Sequence, residues 1–335
     1  MMDRVPAEKL IAGDVLLYHG SGWISKAIRF FDGTDVNHAA IYLGNQSVGE
    51  AREFQGLIRQ PLSESIAATD WVLARRLQPA PPSIDPVLVR AHAYLDNGNR
   101  YSYEQVFLLA LLCLTRKAMI SPLFARLVRA VLDKAALYYS QIAAGVTGGE
   151  PMICSEFVFR SYDEADPRPD DPYTIRIGDR PTGKYWLHAI PIAIAAGTIP
   201  RESLLGVLLR KSAMTQAPAL PLEKCFLAVR RKTLRQSELD SVISQYLEAE
   251  SQEPPTTGDE LNQDSDLVEL QDAVHNLALC VYEAAGHQVD RDLLATHPYS
   301  IRSPSFSHFL QIAADFITPG DLRKTPSLST MGTLQ

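Results

Sequence analysis

Cys154 is the residue best placed by type and surroundings to act as a nucleophile. It stands where a Gly-Gly-Glu-Pro turn (148–151) enters an amphipathic segment, in which Ile153, Phe157, Val158, Tyr162 and Ala165 recur at helical spacing. Backbone N–H groups and the positive dipole end at such a helix start favour the thiolate, the reactive form of cysteine. A lone cysteine on a helix is more often a small buried hydrophobe, so the catalytic reading needs a partner.

His38 supplies one. It opens the run VNHAAIYLG, whose other ionisable side chain is Tyr42. A thiolate nucleophile needs an imidazole as base and later as acid, and a third polar group to orient the ring. Two glutamates compete for the third place. If Gly44-Asn45-Gln46 forms a three-residue hairpin loop, Leu43 faces Ser47 and Ala40 faces Glu50, which then shares a sheet face with His38. A four-residue loop puts Glu53 opposite His38 instead, and register alone does not choose between them. For the oxyanion of an attacked carbonyl, the obvious donor is the backbone N–H of Cys154. Tyr18 and Ser155 are further candidates for lining the site, although Tyr18 also suits core packing. Ser155 and Glu156 also suit a helix start.

The elements that must position these groups are legible in outline. Residues 13–18, 38–43, 47–51 and 71–77 read as short strands separated by Gly, Asn and Asp turn signals. Pro79, Pro81 and Pro82 break that pattern, and a helical region follows over about 85–145. Beyond the Cys154 helix, 166–250 reads as a helical and irregular extension that begins with the loop DPRPDDPY. Residues 251–266 hold five acids, no base and two prolines, the composition of a linker. A helix is expected over 267–285, with a stripe of Val268, Ala273, Val274, Leu277, Ala278 and Val281. Another is expected near 306–317, before TPGDL.

In this order, AGDVLLY (12–18), SKAIRFFDGT (25–34), NHAAIYLGNQSVGEA (37–51) and ICSEFVFRSYDEA (153–165) resemble the circularly permuted NlpC-type papain-fold thiol hydrolases. The lecithin–retinol acyltransferase-like enzymes are among their relatives. The tail FITPGDLRKTPSL (316–328) is similar to one that often closes such domains. The order of His before Cys is the mark of the permutation.

The resemblance implies an α+β, permuted papain-like fold: a small antiparallel sheet packed on the nucleophile helix, with large helical insertions. The catalytic core would be 1–165, with the insertion at about 85–145, and 267–335 would form a C-terminal helical segment ending in the tail. It also implies Cys154 as nucleophile, His38 as base and Glu50 as third residue, because the twelve-residue step from His38 matches the family's pattern. The activity implied is thiol-dependent acyl hydrolysis or transfer through an acyl-enzyme thioester, with no cofactor. The long stretch between His38 and Cys154, and the roughly 150 residues between the Cys154 helix and the tail, depart from the family pattern.

Composition bounds the rest. At 335 residues, with 46% hydrophobic and 21% charged residues, the chain is neither mostly disordered nor collagen-like. A net charge of −7 argues against general nucleic-acid binding. The cysteines, at 113, 154, 225 and 280, and the histidines show no zinc spacing, so no metal is expected. The N-terminus has no signal-peptide pattern, and the longest uncharged apolar run, Val106–Leu114, is too short for a span. The expectation is a protein cytoplasmic at synthesis, with signal-independent export to a target cell envelope as a further idea.

Residues 100–145 carry six bases (Arg100, Arg116, Lys117, Arg126, Arg129, Lys134) against Glu104 and Asp133, among apolar runs. That combination fits either a helical layer buried in the fold or a peripheral membrane contact. The second favours a membrane glycerolipid as substrate, in a phospholipase A-like reaction. The alternatives are a peptidoglycan peptide amidase or endopeptidase, and a non-catalytic interaction module. Oligomeric state is not legible.

Overall fold

The computed structural model describes residues 3–52, 55–67, 69–96, 104–116, 121–145, 152–166, 168, 171–178, 199–214, 235–251, 263–289 and 303–334. Its elements in chain order begin with β1 (Val15–His19), α1 (Trp23–Asp32), β2 (His38–Gly44), β3 (Ser47–Arg52), β4 (Gly56–Pro61), α2 (Leu62–Ile66) and β5 (Trp71–Leu77). The helices α3 (Asp85–Asp96), α4 (Glu104–Thr115), α5 (Pro122–Gly145) and α6 (Cys154–Asp163) follow. The remainder is α7 (Leu204–Met214), α8 (Gln236–Ser251), α9 (Gln263–Ala284), α10 (Pro304–Asp315), α11 (Pro319–Lys324) and β6 (Leu328–Leu334). The chain is mixed α+β and divides into two compact units: Met1–Gln105 with Met152–Ala189 and Phe316–Gln335, and Val106–Pro151 with Ile190–Asp315.

The first unit is built on an open, antiparallel six-stranded sheet in the order β4-β3-β2-β1-β5-β6. Side-chain alternation gives it two buried faces. On one, Val15, Leu17, Ala39, Ile41, Ala51 and Leu73 form a core with Phe157, Val158 and Tyr162 of α6 and Val87 and Ala91 of α3. On the other, Leu16, Tyr18, Ala40, Tyr42, Val48 and Val72 pack with Leu62 of α2 and Leu10. Burying one such Leu or Phe contributes about 1.5–3 kcal/mol, so both faces hold the sheet. The strands expected at 13–18, 38–43, 47–51 and 71–77 are present within a residue or two. Two more were not anticipated: β4, and β6 at the end of a segment expected to be helical, where SLSTMGTL shows no apolar alternation.

The β2–β3 hairpin reaches the expected face by a different route. The turn has two residues, Asn45 and Gln46, at φ 50° and 57°, the left-handed pair that matches strand twist in a two-residue hairpin. Gly44, not Leu43, therefore opposes Ser47, and the register shifts between Tyr42 and Gly44. The extra residue is absorbed there as a bulge. Its consequence is that Ala40 faces Glu50 after all.

The tail is tied to the sheet by polar groups. Thr318 and Asp321 make a reciprocal capping box at the start of α11. Gly320 N–H donates to buried Asp32 Oδ2 at 2.7 Å, and a Cβ on Gly320 would fall 2.5 Å from that oxygen. The buried Arg75 guanidinium of β5 donates to the carbonyls of Leu322 (2.7 Å), Arg323 (2.6 Å), Thr325 (3.0 Å) and Leu328. Those carbonyls include orphans of the last turn of α11.

The second unit is helical among its described residues. α5 packs against α8 and α9, α9 packs against α10, and α4 meets α5 through an edge-to-face pair of Phe107 and Tyr139 at 4.9 Å. The helical region expected over 85–145 is thus shared: α3 and the first two residues of α4 belong to the first unit, the rest of α4 and α5 to the second. Every residue from Val106 to Leu114 is at most 3% exposed, so the apolar run that suggested a membrane-facing flank is spent on the interior. In α9, Val268 is exposed and Leu270 takes its place, because 270, 274, 277 and 281 are the positions that share a face. Of the acidic stretch 251–266, residues 252–262 lie outside the described residues, and α9 already runs from Gln263. Glu53, Cys225, His188 and His297 also lie outside them. Among the described residues, no helix is long and apolar enough to cross a membrane.

Candidate active site

Cys154 is the first residue of α6, preceded by Ile153 in an extended conformation (φ −80°, ψ 159°), and no side chain caps that helix end. The thiol is buried, in the same core as Val36 and Ala39 on either side of the Asn37–His38 pair. α6 packs directly on β2 and β3. Ser155 does not face the site: its hydroxyl donates to the Ile317 carbonyl at 2.5 Å, a tether between α6 and the segment that leads into α11. Tyr162 Oη likewise donates to the Gly13 carbonyl, fixing the far end of α6 to the start of β1. Glu156 pairs with Arg160 one turn on, at 3.4 Å.

His38 begins β2 and opposes Tyr18 of β1. Its ring stands edge-on to the Tyr18 ring, centroids 5.1 Å apart. The Tyr18 hydroxyl is 2.6 Å from Ser65 Oγ on α2. Tyr18 is therefore a wall of the imidazole, with its hydroxyl already engaged. Asn37, next to His38, is held by its backbone N–H on the Tyr18 carbonyl at 2.9 Å. Its side chain accepts from Gly20 N–H at 2.6 Å and donates to Ser25 Oγ at 3.1 Å.

The imidazole and Glu50 are brought together. His38 Nε2 donates to Glu50 Oε2 at 2.9 Å, with both side chains buried. His38 Nδ1 is buried and makes no hydrogen bond. Glu50 is held further by Gln60 Nε2, which donates to its other oxygen, and by Arg52 Nε at 3.6 Å. Burial alone raises the Glu50 carboxyl's pKa. The hydrogen bond and charge of His38, the Ser65 hydroxyl and Arg52 outweigh it, and the pKa lies below the ordinary value of 4.5. The carboxylate is thus ionised at neutral pH, as orienting an imidazolium requires.

Sequence reasoning missed Gln60, Ser65 and Arg52. The signal was slight: Gln60 has the parity of Ile58 in GLIRQP, and only the β3–β4 register, with Glu50 opposite Ile58, puts that parity on the face of Glu50. Alternation along β2 also sends Ala39 and Ile41 towards α6, and His38 towards Glu50. Cys154 thus packs with the α6 side of β2, and the His38–Glu50 pair lies at the end where β2 begins. Beside that end, His19 stacks on Trp71 at 4.8 Å. Among the described residues, no three His, Cys, Asp or Glu side chains gather as a metal site.

No protein-family model matches this chain, and no curated protein matches it.

Proposed function

We propose that the chain is a cysteine-dependent acyl hydrolase or acyltransferase with a permuted papain-like catalytic unit. Cys154 is its nucleophile, His38 its base and acid, and Glu50 the residue that orients the ring. The observation that carries this reading is the His38–Glu50 bond: it uses Nε2 and leaves a buried, unengaged Nδ1 as the nitrogen to take a thiol proton. The location of Cys154 at the start of a helix packed on the histidine's own strand supports it.

In the reaction, His38 Nδ1 takes the proton from Cys154 Sγ as the sulfur attacks the carbonyl carbon of the substrate. The tetrahedral oxyanion collapses, and the leaving oxygen departs with the proton held by His38. The acyl group remains on sulfur as a thioester. Water or another acceptor then attacks that thioester, gives its proton to His38, and releases the acyl product as the proton returns to the thiol.

The favoured substrate is a membrane glycerolipid. A cell-wall peptide amidase is the second reading, favoured by the burial of Val106–Leu114, which removes the apolar flank that a peptide substrate would not need. A side-by-side assay of the native chain and Cys154→Ala tests both, with free fatty acid from phosphatidylglycerol vesicles and released fragments from purified cell-wall peptides as readouts. The substitution is expected to reduce turnover on the order of 10⁴-fold or more with an unchanged melting temperature. Full activity in Cys154→Ala rejects the thiol mechanism, and peptide cleavage without acyl release reverses the choice of substrate.

A further inference from the structure

Helix α1 buries Ile24, Ala27, Ile28 and Phe31, the stripe of a helix packed on a core. The opposite face of such a helix is ordinarily polar. In α1 it carries Trp23, 36% exposed, and Phe30, 47% exposed, two turns apart with exposed Lys26 between them. The Lys26 ammonium stands 4.2 Å from the Trp23 ring centre. Among the described residues, the exposed large hydrophobic side chains are Ile11, Trp23, Phe30, Val89 and Val268. Both aromatics in that set are on this one face.

The charges around the face are mainly cationic. Exposed Lys324 lies at its far end, with its ammonium on the Asp32 carbonyl at 3.2 Å. The nearby acids are turned to other work: Asp32 is buried on the Gly320 N–H, and Asp35 pairs with Arg323 at 3.0 Å. Asp70, which faces His19 at 3.8 Å, is the remaining acid close to Arg29. The helix that carries this face is tied to the site from its inner side, where buried Ser25 of its first turn accepts from Asn37, the neighbour of His38.

We infer that the Trp23–Lys26–Phe30 face docks the protein on an anionic lipid surface, setting the His38 end of the sheet against the bilayer. The inference rests on the acyl-hydrolase reading above and names the surface on which that site meets its substrate. An indole favours the headgroup boundary, a phenyl ring enters the acyl region, and a lysine ammonium meets anionic headgroups. A chain of net charge −7 is repelled on average by such a surface, so adsorption must run through a local patch. A protein partner would ordinarily take up about 800 Å² on this side, more than three side chains of one short helix provide.

Cosedimentation of Cys154→Ala, which binds without turnover, with phosphatidylglycerol and with phosphatidylcholine vesicles tests the docking face. Binding is expected to phosphatidylglycerol, weaker at high salt, and weakened about tenfold by Trp23→Ala/Phe30→Ala or by Lys26→Glu. In the otherwise native chain, the same surface substitutions should lower hydrolysis of phosphatidylglycerol vesicles and leave that of a dispersed short-chain ester unchanged. Equal vesicle binding by parent and substituted chains, binding to phosphatidylcholine alone, or binding by neither overturns the docking face. If the native chain hydrolyses neither lipid nor short-chain ester, the catalytic reading fails, while vesicle binding by Cys154→Ala still decides the docking question.

Discussion

His38 Nε2 and Glu50 Oε2 lie 2.9 Å apart, although twelve residues and a hairpin with a bulge separate them in the chain. Their approach depends on two compensating features. A two-residue turn sets Gly44 against Ser47, and the register shift next to it returns Ala40 to Glu50. With either feature alone, every side chain of β3 beyond that point would change face, and the carboxylate would stand among the apolar residues under α6.

The pair carries a pH signature. A lowered carboxyl pKa means that the ionised Glu50 adds stability above the ordinary value of 4.5, and that this is lost as pH falls through its native value. Glu50→Gln should therefore be less stable than the native chain near neutral pH, with the difference narrowing on acidification below 4.5. Thermal unfolding at about pH 7 and about pH 3 measures this. A gap of the same size at both would contradict the assignment of an ionised, partnered carboxylate.

Gln60 acts on the imidazole through Glu50, as a positioning residue. Gln60→Leu removes a hydrogen bond to an ionised group, worth about 1.5 kcal/mol, which corresponds to about tenfold in rate. The loss should fall on kcat and leave KM unchanged, because Gln60 is placed to hold Glu50 and not the substrate. Steady-state kinetics on a soluble ester decides it, and a change confined to KM would put Gln60 among the substrate contacts instead.

Arg75 holds the tail by geometry, with no carboxylate in its set of four carbonyl partners. Arg75→Met keeps an unbranched apolar stem but leaves those carbonyls without a donor, at a cost of about 3 kcal/mol or more. Arg75→Lys, with three donors on a point charge, should fall between. Urea unfolding of the three chains gives the order, and a methionine variant as stable as the native chain would show that water replaces the guanidinium.

Much of the candidate site was legible from residue types. Cys154 at a turn-to-helix boundary and His38 at the head of an apolar strand stand out by type, whereas Glu50 is one of two open glutamates and is preferred to Glu53 through the family resemblance. The strands β1, β2, β3 and β5 stand out too, as short runs bounded by Gly, Asn and Asp turn signals, as does the helix that begins at Cys154, whose apolar residues recur at helical spacing. Such patterns are local, and local chemistry is what a sequence records directly.

What tertiary structure alone decided is which groups meet. The choice of register at Asn45-Gln46, the engagement of Gln60, Ser65 and Arg52 around Glu50, and the diversion of Ser155 to Ile317 all depend on partners distant in the chain. The same holds for β6, whose residues have no alternation of their own and pair because Arg75 and Asp32 hold the TPGDL turn beside β5. The apolar run at 106–114 looked the same whether it faced lipid or protein, since both are apolar surroundings. Burial among helices settled that, and left the exposed aromatics on α1, a helix whose buried stripe had disguised its other face.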